Sequence, residues 1–430
     1  MKIKIHRGIN QIGGCITEIA TEKTRILIDL GQNLPDGDGV VIDTLADNEA
    51  IVGLTTGIDA ILYTHYHGDH FGLFKFVPDN IPQYIGAVAK QVVLCKHNRL
   101  LFIEGCADKY SKEISKIESM HTFVAEQVVE IGDIRLTPYF VSHSAYDSYM
   151  FLIEAGGKRI LHTGDFRDHG YLGKGLIPML KSIVLKQGDI DFLITEGTML
   201  SRIEGDVLHE KELRTMMREA MEQYKRVFVL CSSTDLERLA TIYSANISFK
   251  SIPFICDDFQ AMILKIFQES AGELSGLFKF KKCYTFFEKN TKLLNWMQDK
   301  GFCMLVRPTD KFADFIDRLL QMTDPANTVL IYSTWSEYIN PLSKHANLQY
   351  INFISRFPNI AQIHTSGHAS PKCLTQVCNL VNPKLGIIPI HSEDSTQFAN
   401  LRLKKELKQK IITQTKKFAA DVVEITQRLN

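Results

Sequence analysis

The chain has 430 residues, and its 49 Lys and Arg balance 49 Asp and Glu, so it carries no formal net charge at pH 7. That length predicts two or three domains, or one domain holding a large insertion. With 45% hydrophobic and 23% charged residues, disorder, collagen and coiled coil are excluded as whole-chain readings. The charge balance argues against a protein that coats nucleic acid by bulk charge, while a local basic channel stays open. No apolar run reaches 18 residues, which excludes a transmembrane helix. The first residues, MKIKIHRGIN, alternate as a strand does and lack the apolar region of a secretory signal. Nine cysteines without a CxxC pair suggest reduced, mostly buried thiols in a cytosolic protein. No cysteine is a candidate for metal binding or catalysis.

Short strands dominate the first 198 residues: 16–19, 25–29, 60–63, 135–139, 149–154 and 159–162 carry apolar or β-branched runs. Gly13–Gly14 and Gly156–Gly157 supply turns between them. The character changes near Leu200. In 209–224, Leu213, Met216, Met217, Ala220, Met221 and Tyr224 recur at helical spacing. Buried-type strands are predicted at 227–231, 253–256, 303–307 and 328–332, with helices at 236–244 and 312–322 between them. That alternation implies a parallel sheet covered by helices. After about Phe357 short strands and loops return. The predicted organisation is one α/β domain, 1–198 and 357–430, interrupted by a second α/β domain at 199–356. Its last stretch, from Leu401 to Asn430, holds eight Lys and Arg against three Asp and Glu. This reads as a solvated final helix in preference to a phosphate-contacting edge.

The segment 58–70, IDAILYTHYHGDH, places His65, His67, Asp69 and His70 just beyond a buried strand. Four ligating side chains within six residues exceed what one metal with an open position takes from one loop, so two adjacent metals are expected. Histidine and carboxylate donors suit zinc, with manganese or iron as competitors. His143, Asp165 and His391 each follow another apolar run. Together the candidates comprise five His and two Asp.

These residues resemble the metallo-β-lactamase superfamily, whose fold is a four-layer αββα sandwich. The resemblance implies that His65, His67 and His143 hold one metal and that Asp69, His70 and His391 hold the other. Asp165 would bridge them, with a hydroxide shared between the metals. Asp29, in ILIDLG, would support the ligand loop. Glu196 in DFLITEGT, His368 in HTSGHAS and His391 in IIPIHSE further resemble the β-CASP nucleases, which insert an α/β domain into this fold. Among these, the ribonuclease J group is the most similar. The implied activity is hydrolysis of RNA phosphodiesters, exo or endo, on single-stranded RNA in the cytoplasm. The implied cofactors are two Zn2+ ions, with Mn2+ possible. DNA as substrate, a small-molecule metallo-hydrolase, a non-catalytic RNA scaffold and a homodimer remain open alternatives.

The implied catalytic set is His368, Glu196 and Asp69. His368 is the general acid for the leaving 3′ oxygen, because imidazole titrates near neutrality. Glu196 would orient its ring. Ser366 and Gly367 offer phosphate contacts, as do Ser232, Ser233 and His364 more weakly. Ser232 and Ser233 read equally as helix N-caps. The stretch 278–292, FKFKKCYTFFEKNTK, interleaves aromatics with lysines; it suits a single-strand channel or an edge strand with buried aromatics. His162 and His169 flank Asp165 and read as structural neighbours of the ligands.

Overall fold

The computed structural model describes residues 1–35, 40–202, 207–249, 252–286, 290–321, 324–418 and 421–425. The chain divides into two compact units. The first comprises Met1–Leu34, Val41–Gly205 and Gly367–Asn430; the second comprises Pro35–Val40 and Asp206–Ser366.

The first unit contains two sheets among the described residues. One has eight strands in the order Lys416–Lys417, Val422–Ile425, Lys2–Arg7, Ile16–Ala20, Arg25–Ile28, Ala60–Leu62, Gln83–Gly86 and His121–Phe123. The other has six, in the order Gly386–Ile390, Phe192–Glu196, Lys158–His162, Ser148–Ala155, Ile134–Val141 and Val129–Ile131. Side chains alternate across a strand, and the inner faces of the two sheets meet in one core. There Ile3, Ile5, Ile19, Ile26 and Ile28 join Phe151, Ile153, Ile160, Phe192 and Ile194, all fully buried. The opposite face of the six-stranded sheet, with Leu152, Leu161, Leu193 and Ile387, packs on Leu180 and Val184 and on helix Pro371–Val381 through Leu374 and Val377. Helix Ala87–Leu100 lies against the strands Gln83–Gly86 and His121–Phe123 of the other sheet. Two sheets between helical layers form the expected αββα arrangement.

The polypeptide leaves this unit after Phe192–Glu196 and returns before Gly386–Ile390, and those strands pair in parallel, with Glu196 opposite Ile390. The second unit holds a six-stranded, all-parallel sheet, ordered Cys283–Thr285, Phe254–Cys256, Phe302–Val306, Arg226–Cys231, Thr328–Ser333 and Ile360–Gln362. Both faces of such a sheet are covered, so its strands read as continuous apolar runs. Phe228, Leu230, Met304 and Leu330 pack on Phe312, Phe315 and Ile316 of helix Asp310–Gln321.

Two expectations need correction, and one alternative is resolved. The C-terminal helix shrinks to Lys405–Lys408, and the chain then forms strands Lys416–Lys417 and Val422–Ile425. Val422, Val423 and Ile425 favour a pleated surface, and they pair in parallel with the first strand. In the aromatic and lysine stretch, Phe278 and Phe280 are buried, while Tyr284 packs edge-on against Trp296 at 5.0 Å. This matches the edge-strand reading; residues 287–289 lie outside the described residues. Ser232 and Ser233 do not cap the following helix. Asp235 does so, accepting the Arg238 amide at 3.2 Å.

Candidate metal centre

All nine principal candidates fall in the first unit. Strand Arg25–Ile28 ends at Asp29, Ala60–Leu62 runs into the His65–His70 loop, and Ile134–Val141 runs into His143. Lys158–His162 leads to Asp165, Phe192–Glu196 ends on Glu196 itself, and Gly386–Ile390 delivers His391. Each residue therefore sits at the C-terminal end of a strand anchored in the core. The loop carrying Asp69 also runs unusually close to the loop after Asp29. A Cβ on Gly31 would stand 1.7 Å from the Asp69 carbonyl oxygen, so that position admits only glycine.

The donors form two neighbouring groups. His67 Nδ1 lies 3.2 Å from His65 Nε2 and 3.2 Å from His143 Nε2. A tetrahedral zinc with ~2.0 Å bonds separates its nitrogen ligands by about 3.3 Å, so these three nitrogens have the spacing of a shared cation. In the second group, His391 Nε2 is 3.0 Å from Asp69 Oδ2, and His70 Nε2 is 3.2 Å from Asp165 Oδ2. Asp165 Oδ2 faces both groups, at 3.7 Å from His391 Nε2, 4.0 Å from His65 Nε2 and 3.9 Å from His143 Nε2. His70 Nε2 and Asp165 Oδ1 are buried without an aligned hydrogen-bond partner, a costly state for polar atoms that coordination removes. The donor set thus fits divalent-cation binding.

Partners behind the rings fix which nitrogen faces inward. His143 Nδ1 lies 2.7 Å from the Gly367 carbonyl oxygen, which can only accept, so Nδ1 carries the proton and Nε2 offers its lone pair. His70 Nδ1 donates to Asp29 Oδ2 at 2.7 Å, and Asp29 also accepts the Thr64 amide and hydroxyl at 2.7 and 2.8 Å. Thr198 Oγ1 lies 2.7 Å from His391 Nδ1 and 3.2 Å from His368 Nδ1. Asp29 and His391 hold φ of +62° and +48°; such left-handed strain in non-glycine residues clusters at functional sites.

Glu196 is fully buried, with Oε2 3.1 Å from His368 Nδ1 and Oε1 accepting the amides of Phe166 and Ala369 at 3.0 and 3.2 Å. Burial pulls the His368 pKa down, but the Glu196 and Asp165 carboxylates outweigh it and hold the imidazole above its ordinary value. Burial pushes His65 and His143 well below theirs, and His67 to about 4. These three rings are therefore neutral near pH 7, as ligation requires. Burial also raises the Asp165 carboxyl, yet His391, His70 and His368 overcome it and hold Asp165 well below the carboxylate range.

The remaining candidates separate. Gly367 belongs to the first unit, where its carbonyl holds His143. Ser366, His364, Ser232 and Ser233 belong to the second. There His364 Nδ1 lies 3.3 Å from Arg238 Nη1, and the Ser233 carbonyl accepts from Gln260. His162 Nδ1 accepts the Gly164 amide at 3.2 Å, and burial pushes its pKa to about 4. Two neighbours were missed from sequence. Thr198 follows Glu196 by two residues, inside the DFLITEGT segment, where sequence alone assigns it no role. Cys15, read as an inert core thiol, has its Sγ within 4.8 Å of ligating nitrogens of His70 and His391.

This chain is similar in sequence and fold to known proteins. The family described as Beta-lactamase superfamily domain matches residues 24–228. An RNase J-like protein of Methanocaldococcus jannaschii is 24% identical over 59% of this chain and 58% of its own length. Ribonuclease J of Mycoplasma genitalium is 21% identical over 91% of this chain and 68% of its own. Ribonuclease J of Helicobacter pylori is 23% identical over 91% of this chain and 56% of its own. This chain thus spans roughly half to two thirds of those relatives. A crystal structure of a protein of unknown function from Enterococcus faecalis V583 superposes with a TM-score of 0.68 at 19% identity, covering 92% of this chain and 95% of that one.

Proposed function

We propose that this chain, whose residues 24–228 match the Beta-lactamase superfamily domain, is a metal-dependent ribonuclease that hydrolyses RNA phosphodiester bonds. The observation that carries the reading is the convergence, at strand ends of one unit, of seven His and Asp donors with the Glu196–His368 pair. Curated relatives named ribonuclease J match over most of the chain. His65, His67 and His143 would hold one cation, Asp69, His70 and His391 the other, and Asp165 both. Zinc is the first choice for this donor set and manganese the second. Cations bound there would neutralise charge on the phosphodiester and make water more acidic.

The protein's own groups do the rest. His368 presents Nδ1 to Glu196, and its ring is the proposed carrier of a proton to the leaving 3′ oxygen. Glu196 holds that ring and, through the Phe166 amide, the backbone beside Asp165. Phosphate contacts from Ser366, Gly367, Ser232, Ser233 and His364 belong to the same proposal. So do cytoplasmic action and a homodimer. Among the described residues no helix is long and apolar enough to cross a membrane.

The test is a time course on single-stranded RNA labelled at its 5′ end, with zinc or manganese, comparing wild type with His368→Ala. Cleavage that the substitution lowers by at least ~100-fold supports both nuclease and general acid. Early release of a labelled mononucleotide marks 5′ exonuclease action; longer labelled fragments mark endonuclease action. No cleavage by metal-loaded wild type sinks the ribonuclease reading and redirects the search to DNA, small esters or a scaffold role. Equal cleavage by both forms removes His368 from the chemistry.

A further inference from the structure

We propose that Cys15 is a sulfur ligand of the second cation position, which makes that position a mixed sulfur, nitrogen and oxygen site selective for zinc over manganese. The inference rests on the metal centre of the proposed function. Cys15 is buried, and its Sγ and one ligating nitrogen each of His70 and His391 all lie within 4.8 Å of one another. Zinc bonds of ~2.3 Å to sulfur and ~2.0 Å to nitrogen keep neighbouring donors about 3–3.6 Å apart, inside that bound.

Two further observations tie the thiol to the site. The Cys15 amide donates to the Asp69 carbonyl at 2.9 Å, and the Cys15 carbonyl accepts the Gly31 amide at 3.1 Å. Its backbone is thus bonded to the loop that carries Asp69 and His70. Independently, His70 Nε2 is fully buried without an aligned hydrogen-bond partner. Among the described residues, Cys15 is the cysteine grouped with ligating nitrogens of His70 and His391. Gly8 leaves the sulfur its place, since a Cβ there would come 3.1 Å from Sγ.

Ligation releases the thiol proton to buffer as the sulfur–metal bond forms. Thiolate is a soft donor: it favours zinc and cobalt(II) and does little for manganese(II), which prefers oxygen. Cys15 would therefore decide which of the two competing metals fills the second position.

X-ray absorption at the zinc edge on the zinc-loaded full chain reads this directly. The expected spectrum contains a zinc–sulfur shell at ~2.3 Å that Cys15→Ser and Cys15→Ala remove. Zinc affinity should fall about tenfold or more in both variants, with manganese affinity nearly unchanged. Cobalt-loaded wild type should show a near-ultraviolet thiolate charge-transfer band, which reads the same bond without any variant. Two zinc ions bound with only nitrogen and oxygen neighbours would overturn the inference and leave the nuclease reading intact. A sulfur shell that survives in a folded Cys15→Ser would also overturn it, by assigning the sulfur to another cysteine. A wild type that binds no zinc at all would remove the metal centre, and the proposed function with it.

Discussion

The Glu196 carboxylate lies 3.1 Å from His368 Nδ1, although the two residues are 172 positions apart in the chain. Its other oxygen holds the amides of Phe166 and Ala369. One buried side chain therefore fixes the imidazole, the backbone after the imidazole and the backbone after Asp165. Glu196→Gln keeps the size and one acceptor oxygen but removes the charge. We expect kcat on single-stranded RNA to fall about 100-fold, with KM and bound zinc nearly unchanged. A matching loss of zinc would instead mean that Glu196 acts through the metal site.

Asp29 gives a second, separable prediction. It accepts from His70 Nδ1 and from both the amide and hydroxyl of Thr64, and so aims the ligand loop without ligating. Asparagine tolerates the left-handed backbone at this position better than most residues, so Asp29→Asn tests the carboxylate with little backbone cost. Zinc affinity should fall about 10- to 100-fold, measured by competition with a chromophoric chelator. Wild-type affinity in the variant would show that the His70 ring needs no such partner.

Much of this site is legible in sequence because its residues follow strands whose apolar runs are themselves legible. Ala60–Leu62 announces the His65–His70 loop, and Gly386–Ile390 announces His391. Thr198 and Cys15 were missed for a physical reason. A hydroxyl two residues beyond Glu196, or a thiol opening an apolar strand, has the same local pattern whether it faces a metal or the core. The strand Val422–Ile425 finds its partner at Lys2–Arg7, about as far away as the chain allows. The run of Lys and Glu before it suggested helix instead.

Metal removal should change stability as well as rate. The donors of the candidate centre are mostly buried, and His70 Nε2 and Asp165 Oδ1 have no aligned partner. Binding to the native state alone adds about 2.7 kcal/mol at a free metal concentration of 100 Kd. Chelator-stripped protein should therefore melt several degrees lower and lose activity, and zinc should restore both. An unchanged melting curve after verified stripping would count against a centre built from these donors.

A last prediction concerns acid. Far along the sheet, Glu18 Oε2 lies 2.7 Å from His6 Nε2, and its Oε1 lies 3.0 Å from Arg25 Nε. Burial raises the Glu18 pKa, but the bonds from His6 and Arg25 outweigh it and hold the carboxyl down at about 2. A carboxyl depressed in the folded state stabilises fully above its unfolded value of 4.5 and loses that contribution as pH falls toward the folded one. The shift corresponds to at most about 3 kcal/mol. Arg25 is partly exposed, so water screens its share, and about 1–2 kcal/mol is the expected size. Denaturant midpoints for wild type should thus fall between pH ~5 and pH ~2 by more than those of Glu18→Gln, with the two curves converging at the acid end. Parallel curves across that window would show that Glu18 does not couple folding to protons.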